Sequence, residues 1–323
     1  MGKFEEALKS NTDLAKRFAR SEEKRNTLVS SIAADVTISQ YKNLCIYAVG
    51  SIGRKEVGDK SDLDLFTLSP DSFNRLAQIN LFSSLIQLNK SMGFPDFSGD
   101  GKFLKVFNYN EHAPSIGSPL DDHENWFTAR MLLLLESTPI FNEILYTEAV
   151  KKIANIYFRD STGKKTNFRP IFFLNDLLRF WRTLCLNYEI IRSDTSWPWR
   201  KKNINLKYSR RLTIFSTVLY LLADSSFDEA ALVTITSLTP LERLARALDI
   251  INDPGILSEY ENILSMYENF LKLKEDSEIE EKLKYDKKLA ETIEADGVGF
   301  RKFIYKLLNH SSINQELKEF LVV

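Results

Sequence analysis

Gly50-Ser51-Ile52-Gly53-Arg54-Lys55-Glu56, followed by Ser61-Asp62-Leu63-Asp64-Leu65, sets a glycine-serine turn beside two carboxylates spaced i, i+2. Leu44 to Val49 reads as a buried strand, and Gly50-Ser51 ends it where a side chain would block a phosphate from backbone N–H groups. Gly50 would give access and Ser51 a hydroxyl. On the next apolar run, strand alternation sends Asp62 and Asp64 to one face and Leu63 and Leu65 to the other. Two carboxylates in one small volume repel unless a divalent cation lies between them. Magnesium suits such a pair, with manganese as the alternative ion, because it takes one or two carboxylates and completes its shell with water and substrate phosphates. Arg54 would offset charge on a departing pyrophosphate. The chemistry expected of these parts is nucleotidyl transfer from a triphosphate.

The elements that position them follow from pattern. Apolar residues at Phe4, Leu8, Leu14, Phe18 and Leu28 predict an N-terminal helical region over residues 1–40. A small mixed-sheet α/β domain is expected over 41–120. Its helix should start at Pro70-Asp71, carry Phe73, Leu76, Ile79, Phe82, Leu85 and Ile86 at helical spacing, and stop at Gly93 and Pro95. Phe103 to Phe107 is the next strand. Beyond Asp121 the strand signals fade, so residues 121–323 read as an all-helical domain, with the boundary somewhere in 115–165 and Ser161 to Thr166 as the best linker. Asp121 or Asp122 would cap a helix through Glu136, Thr138-Pro139 would start another to Tyr157, and Pro170 one to Ile191. Thr239-Pro240-Leu241-Glu242 is a specific helix start. Lys272 to Glu294 reads as a solvated helix. The fold class expected is α+β.

Gly50-Ser51-x-Gly53-Arg54-x-Glu56 with Ser61-Asp62-Leu63-Asp64 resembles the nucleotidyltransferase domain of the DNA polymerase β-like superfamily. Within it, the chain is most similar to the bacterial branch that holds the nitrogen-regulatory uridylyltransferases, over about residues 44–68. Phe127 to Ser137 and Phe173 to Arg182 resemble, more weakly, the helices that follow the transferase domain there; nothing resembles the later regulatory and hydrolase domains. The resemblance implies metal on Asp62 and Asp64, nucleotide on Gly50, Ser51, Arg54 and Ser61, and a third carboxylate near the Phe103–Phe107 strand. No acid lies inside that strand, which leaves Asp100 before it and Glu111 after it.

A second cationic group is the run Lys201, Lys202, Lys207, Arg210, Arg211, interleaved with Trp197, Trp199 and Tyr208. Such a run clamps phosphate and stacks bases, or else is a solvated loop with tryptophans plugging a helical core. Leu206-Lys207-Tyr208-Ser209 is similar to a Leu-Lys segment that closes over the site in the resembled relatives, which implies phosphate contact for Lys207 and Arg210. Asn175, Asp176, Arg179, Arg182 and Glu189 lie on a very apolar helix and need partners or a cleft.

Composition narrows the classes further. Net charge is −1 over 323 residues, so no global field argues for nucleic acid. Two cysteines make no disulfide scaffold, no run approaches membrane-spanning length, and the N-terminal stretch carries no secretory apolar core, so a cytoplasmic protein is expected. No zinc spacing, dinucleotide fingerprint or nucleophile elbow appears among the three histidines and the glycines. The expected partners are a nucleoside triphosphate and an acceptor of unknown identity, protein or RNA being favoured. The alternatives are a toxin-like transferase held by an antitoxin or other regulatory partner, and a non-catalytic nucleotide sensor or partner-binding protein on the same scaffold.

Overall fold

Five residues buried in a row, Cys45–Val49, form β1, the inner strand of a four-stranded mixed sheet. β2 (Asp64–Ser69) and β4 (Thr138–Phe141) flank it antiparallel, and β3 (Val106–Asn108) lies parallel to β2 at the edge, giving the order β3-β2-β1-β4. The parallel pair needs a crossover, which the helix Arg75–Ser91 supplies. The computed structural model describes residues 2–97, 101, 103–161, 168–193 and 199–321. Most of them are helical, and the α+β class expected from sequence holds at that level.

Contacts divide the chain into two units. The sheet unit comprises Lys16–Phe168 and Glu229–Thr239. One face of its sheet presents Ile46, Ala48, Leu65 and Ile140, which pack with Leu28 and Ile32 from the helix Thr12–Ala34 and with Leu81, Leu85 and Leu88 from the crossover helix. The other face is aromatic: Tyr47 stacks on Phe66 at 5.6 Å, Phe66 on Phe107 at 6.4 Å, and Trp126 meets Phe107 at 5.8 Å. Leu63 and Leu65 both belong to the aliphatic core, but the strand begins only at Asp64, so Asp62 and Leu63 lie just ahead of it rather than on it as expected.

The helical unit comprises Met1–Ala15, Arg169–Asp228 and Pro240–Val323. Its centre is the helix Arg211–Ala223, buried along almost its whole length. Around Tyr208 an aromatic cluster forms, with Phe270 stacked at 4.9 Å and Phe300 at 5.7 Å. The helices Ile171–Ser193 and Pro240–Ile251 start within a residue of the expected positions. Asp176 and Arg179 pair at 3.6 Å, the partner that an apolar helix demands.

Several expectations are corrected. Thr138-Pro139 begins a strand rather than a helix: Ala48 pairs with Thr138 and Tyr47 with Pro139, and an edge strand tolerates the missing proline N–H. The helix follows at Glu143–Tyr157, capped by the Asn142 side chain. Asp121 is no helix cap; it is fully buried and forks onto Arg130 at 2.7 and 3.0 Å. The crossover helix starts at Arg75 with Asn74 as its cap, four residues late. Lys272 to Glu294 is not one helix but spans the end of Pro254–Glu275, the helix Ile279–Tyr285 and the start of Lys287–Leu308. The division of the chain also differs from the expected one. Residues 121–157 stay with the sheet, and the first fifteen residues group with the later helices. Of the expected linker, 162–166 lies outside the described residues.

Candidate nucleotide and metal site

β1 runs into a single helical turn, Gly50–Gly53, which closes through Arg54 N–H to Gly50 carbonyl at 3.0 Å and Glu56 N–H to Ser51 carbonyl at 2.8 Å. Gly50 sits at φ +68°, left-handed backbone where a side chain is strained. A Cβ there would also lie 2.6 Å from Asp64 Oδ2. The register explains the approach, since Val49 pairs with Asp64 across the ladder and places the carboxylate beside the turn. The Asp64 carboxylate therefore takes the space that a side chain at position 50 would need, and only glycine accommodates it.

Gly53 answers to a different neighbour. A Cβ on it would fall 1.8 Å from the carbonyl oxygen of Glu136, the last residue of the helix Trp126–Glu136. The same glutamate reaches back with its side chain: Arg54 donates through Nη1 to Glu136 at 2.6 Å and through Nε to Glu56 at 2.8 Å. The side chains of this triad are 3%, 2% and 1% exposed for Arg54, Glu56 and Glu136. Arg54 is thus a clamp inside the protein, not a cation facing the cleft, and the expectation that it neutralises phosphate is corrected. Two buried carboxylates hold its guanidinium inside the protein.

Lys55 takes φ +57° as the turn ends, with its ammonium 2.9 Å from Glu22 and 4.3 Å from the Phe18 ring centroid. Ser21 Oγ then accepts from Val57 N–H at 3.0 Å, tying the following segment to the Thr12–Ala34 helix. Ser61 Oγ accepts from Gly58 N–H at 3.0 Å, so this hydroxyl builds the loop that leads to the carboxylates. Ser51 is 4% exposed, and among the described residues its Oγ meets no hydrogen-bond partner. A dry, unpaired hydroxyl costs about 1–3 kcal/mol. It must rotate, or the turn must loosen, before an incoming oxygen can reach it.

Asp62 is exposed, Leu63 is buried and Asp64 is half-buried, the first two lying in the loop that leads into β2. Asp64 also lines a small pocket of about 20 Å³ with Phe97, Gly101, Phe103 and Leu104. Asp100 itself lies outside the described residues. Glu111 is corrected: Asn108 of β3 pairs with Ser69, the last residue of β2, and Glu111 comes after that. Asp64 opens β2, five residues earlier, which at roughly 3.3 Å per residue puts about 17 Å of strand between them. Glu111 belongs to the other end of the sheet. Among the described residues no group of three or more His, Cys, Asp or Glu side chains is arranged to hold a metal ion. What the site offers is Asp62 and Asp64, hard oxygen donors beside a backbone turn whose residues Gly50 to Gly53 are themselves buried.

Lys207 and Arg210 lie in the helical unit on a π-helical turn, Leu206–Arg210. The Lys207 ammonium pairs with Glu294, and its stem lies over Gly297, where a Cβ would meet it at 3.2 Å. Sequence reasoning gave no role to Glu136. Its signal was available: an acid directly after Leu132-Leu133-Leu134-Leu135 on a buried helix needs a cation. Among the described residues no helix is long and apolar enough to cross a membrane. No family model, curated protein or solved structure matches the chain.

Proposed function

We propose that the sheet unit carries a magnesium-dependent nucleotidyltransferase site, which moves a nucleoside monophosphate from a triphosphate to an acceptor and releases pyrophosphate. The observation that carries the reading is the Asp64 carboxylate laid against Gly50, so that a phosphate-accepting turn and a metal-binding carboxylate face the same space. Asp62 and Asp64 would hold magnesium, or manganese, which when bound neutralises phosphate charge and polarises the phosphoryl oxygen. Two carboxylates suit an ion that takes the rest of its shell from water and the substrate.

The chain's own residues do the positioning. Gly50 admits the phosphate chain to backbone N–H groups, Ser51 supplies a hydroxyl once turned, and the Arg54–Glu56–Glu136 triad fixes the turn that carries both. An acceptor hydroxyl would attack the α-phosphorus, the bond to the bridging oxygen would break, and the acceptor proton would pass to water as pyrophosphate departs. The favoured acceptors are a protein hydroxyl or an RNA end. The likeness of residues 44–68 to the polymerase β-like superfamily supports the same reading, including the fold it implies for the sheet unit.

One observation favours a second reading, a nucleotide sensor without turnover: no third acid joins Asp62 and Asp64 among the described residues. Incubating the protein with each α-labelled triphosphate, magnesium and whole-cell extract separates the two. Label recovered in protein, RNA or a small molecule supports transfer; binding of triphosphate with no label transferred supports the sensor.

A further inference from the structure

The helical unit has a pocket of its own. It is a cavity of about 170 Å³ between the helix Trp199–Asn205, the π-helical turn that follows it and the helix Lys287–Leu308. Its wall is mostly apolar, from Ile204, Leu283, Ala290 and Ile293, with Asn203, Arg200, Lys207 and Glu294 as its polar members. Trp199 also lines it, with the Arg200 guanidinium stacked 4.4 Å from the indole centroid.

The parts are fixed rather than incidental. Glu280 accepts from the N–H groups of Arg200 and Lys201 at 3.2 and 2.9 Å and from the Arg200 guanidinium at 3.4 Å, which holds that planar cation on the ring. The π-helical turn costs hydrogen-bond geometry and occurs mostly where function needs it. Here it is held by Tyr208 Oη donating to the Ile293 carbonyl and by Arg211 donating to the carbonyls of Lys207 and Gly297. Gly297 has no side chain where the Lys207 stem must lie, so the ammonium is delivered to the pocket mouth. There it meets Glu294, whose side chain is 61% exposed. An exposed carboxylate on a half-buried lysine is a partner that a better anion can displace.

We infer that this pocket binds a nucleoside monophosphate, its base against Trp199 and the aliphatic wall and its phosphate on Lys207 and Arg200 in place of Glu294. The cavity is the size of a base rather than of a whole nucleotide, so the phosphate would lie beside it, within reach of the Lys207 ammonium and the Arg200 guanidinium among its lining residues. Aromatic stacking supplies sequence-tolerant affinity for any base, and a guanidinium fork beside an ammonium suits phosphate better than a single carboxylate. The inference does not depend on the transferase reading, because it uses no residue of the sheet unit and no metal.

Titration calorimetry on the full chain in EDTA, with Asp62→Asn/Asp64→Asn as background, tests it. AMP, GMP, CMP and UMP are each compared with adenosine, inorganic phosphate and phenylacetate. At least one monophosphate should bind saturably and more tightly than its nucleoside, phosphate or phenylacetate. Lys207→Met, which keeps the stem over Gly297, should weaken that binding by about tenfold or more, the worth of a charge-assisted hydrogen bond. Glu294→Gln should strengthen it, because the competitor is gone. Opposite signs are the signature, and a variant that merely unfolds, checked by circular dichroism, cannot produce the gain. Absence of saturable monophosphate binding, tighter binding of phenylacetate, or indifference to both substitutions would overturn the inference.

Discussion

Replacing Arg54 by Leu would leave Glu56 and Glu136 facing each other in a dry space, each having lost its 2.8 or 2.6 Å partner. Removing one member of a buried ion pair costs about 3–5 kcal/mol, because the charge left behind stays buried without its counter-ion. Here one substitution takes the same cation from two carboxylates, so the upper part of that range is expected. A domain typically holds about 5–15 kcal/mol in total, so Arg54→Leu should forfeit a third or more of it. Arg54→Lys should fall between, since one ammonium keeps the charge but cannot fork to Glu56 and Glu136 at once. Replacing all three residues by Leu, Met and Met should restore most of the loss, because apolar isosteres remove the desolvation problem altogether. Urea unfolding of the full chain, followed by far-ultraviolet circular dichroism and by tryptophan fluorescence, measures each midpoint. A loss under about 1 kcal/mol for Arg54→Leu, the range of an exposed pair, would refute the clamp. So would a triple variant no more stable than the single one.

Gly53→Ala should abolish folding of the sheet unit, because the added carbon meets the Glu136 backbone at 1.8 Å and neither backbone can yield; a soluble variant with a wild-type melting curve would contradict this. Gly93→Ala is the contrast: no atom lies within 4 Å, and only the φ of +72° opposes it, so a loss of about 1–2 kcal/mol is expected in the same melt. Gly50→Ala should leave the fold standing and remove triphosphate binding, since its carbon would occupy the space at Asp64 Oδ2; calorimetry with magnesium and triphosphate reads it. Asp253 caps the helix Pro254–Glu275 through Gly255 N–H at 2.7 Å and meets His310 at 3.1 Å, and these bonds hold its carboxyl below the ordinary range. A lowered carboxyl stabilises fully above its unfolded value and loses that contribution as pH falls through the folded one, so Asp253→Asn should flatten the acid limb of melting temperature against pH.

The sequence exposed the local parts of the site because their constraints are local. Gly50 must be glycine for its φ, and β2 shows itself as the apolar run that follows Asp64, buried from Leu65 to Ser69. What it hid was set by pairing across long separations. Thr138-Pro139 carries a strong helix-start pattern, yet the ladder to Ala48 and Tyr47 outweighs it. Arg54 beside a phosphate turn reads as a phosphate ligand until Glu136, 82 residues away, takes its guanidinium. Glu111 follows β3 in sequence, but the direction of that strand is set by its parallel pairing with β2, which carries Glu111 away from Asp64. The run from Trp199 to Lys207 showed its chemistry in sequence, but Glu280 and Glu294, which organise it, lie some eighty residues later.

The most direct test of the transferase reading is pyrophosphate release, followed with each triphosphate, magnesium and the acceptor fraction that takes up label, for the wild-type chain and for Asp62→Asn/Asp64→Asn. The account predicts release by the wild type in step with label transfer, and loss of both in the double variant with its melting curve unchanged. Release at the wild-type rate from the folded double variant would contradict it.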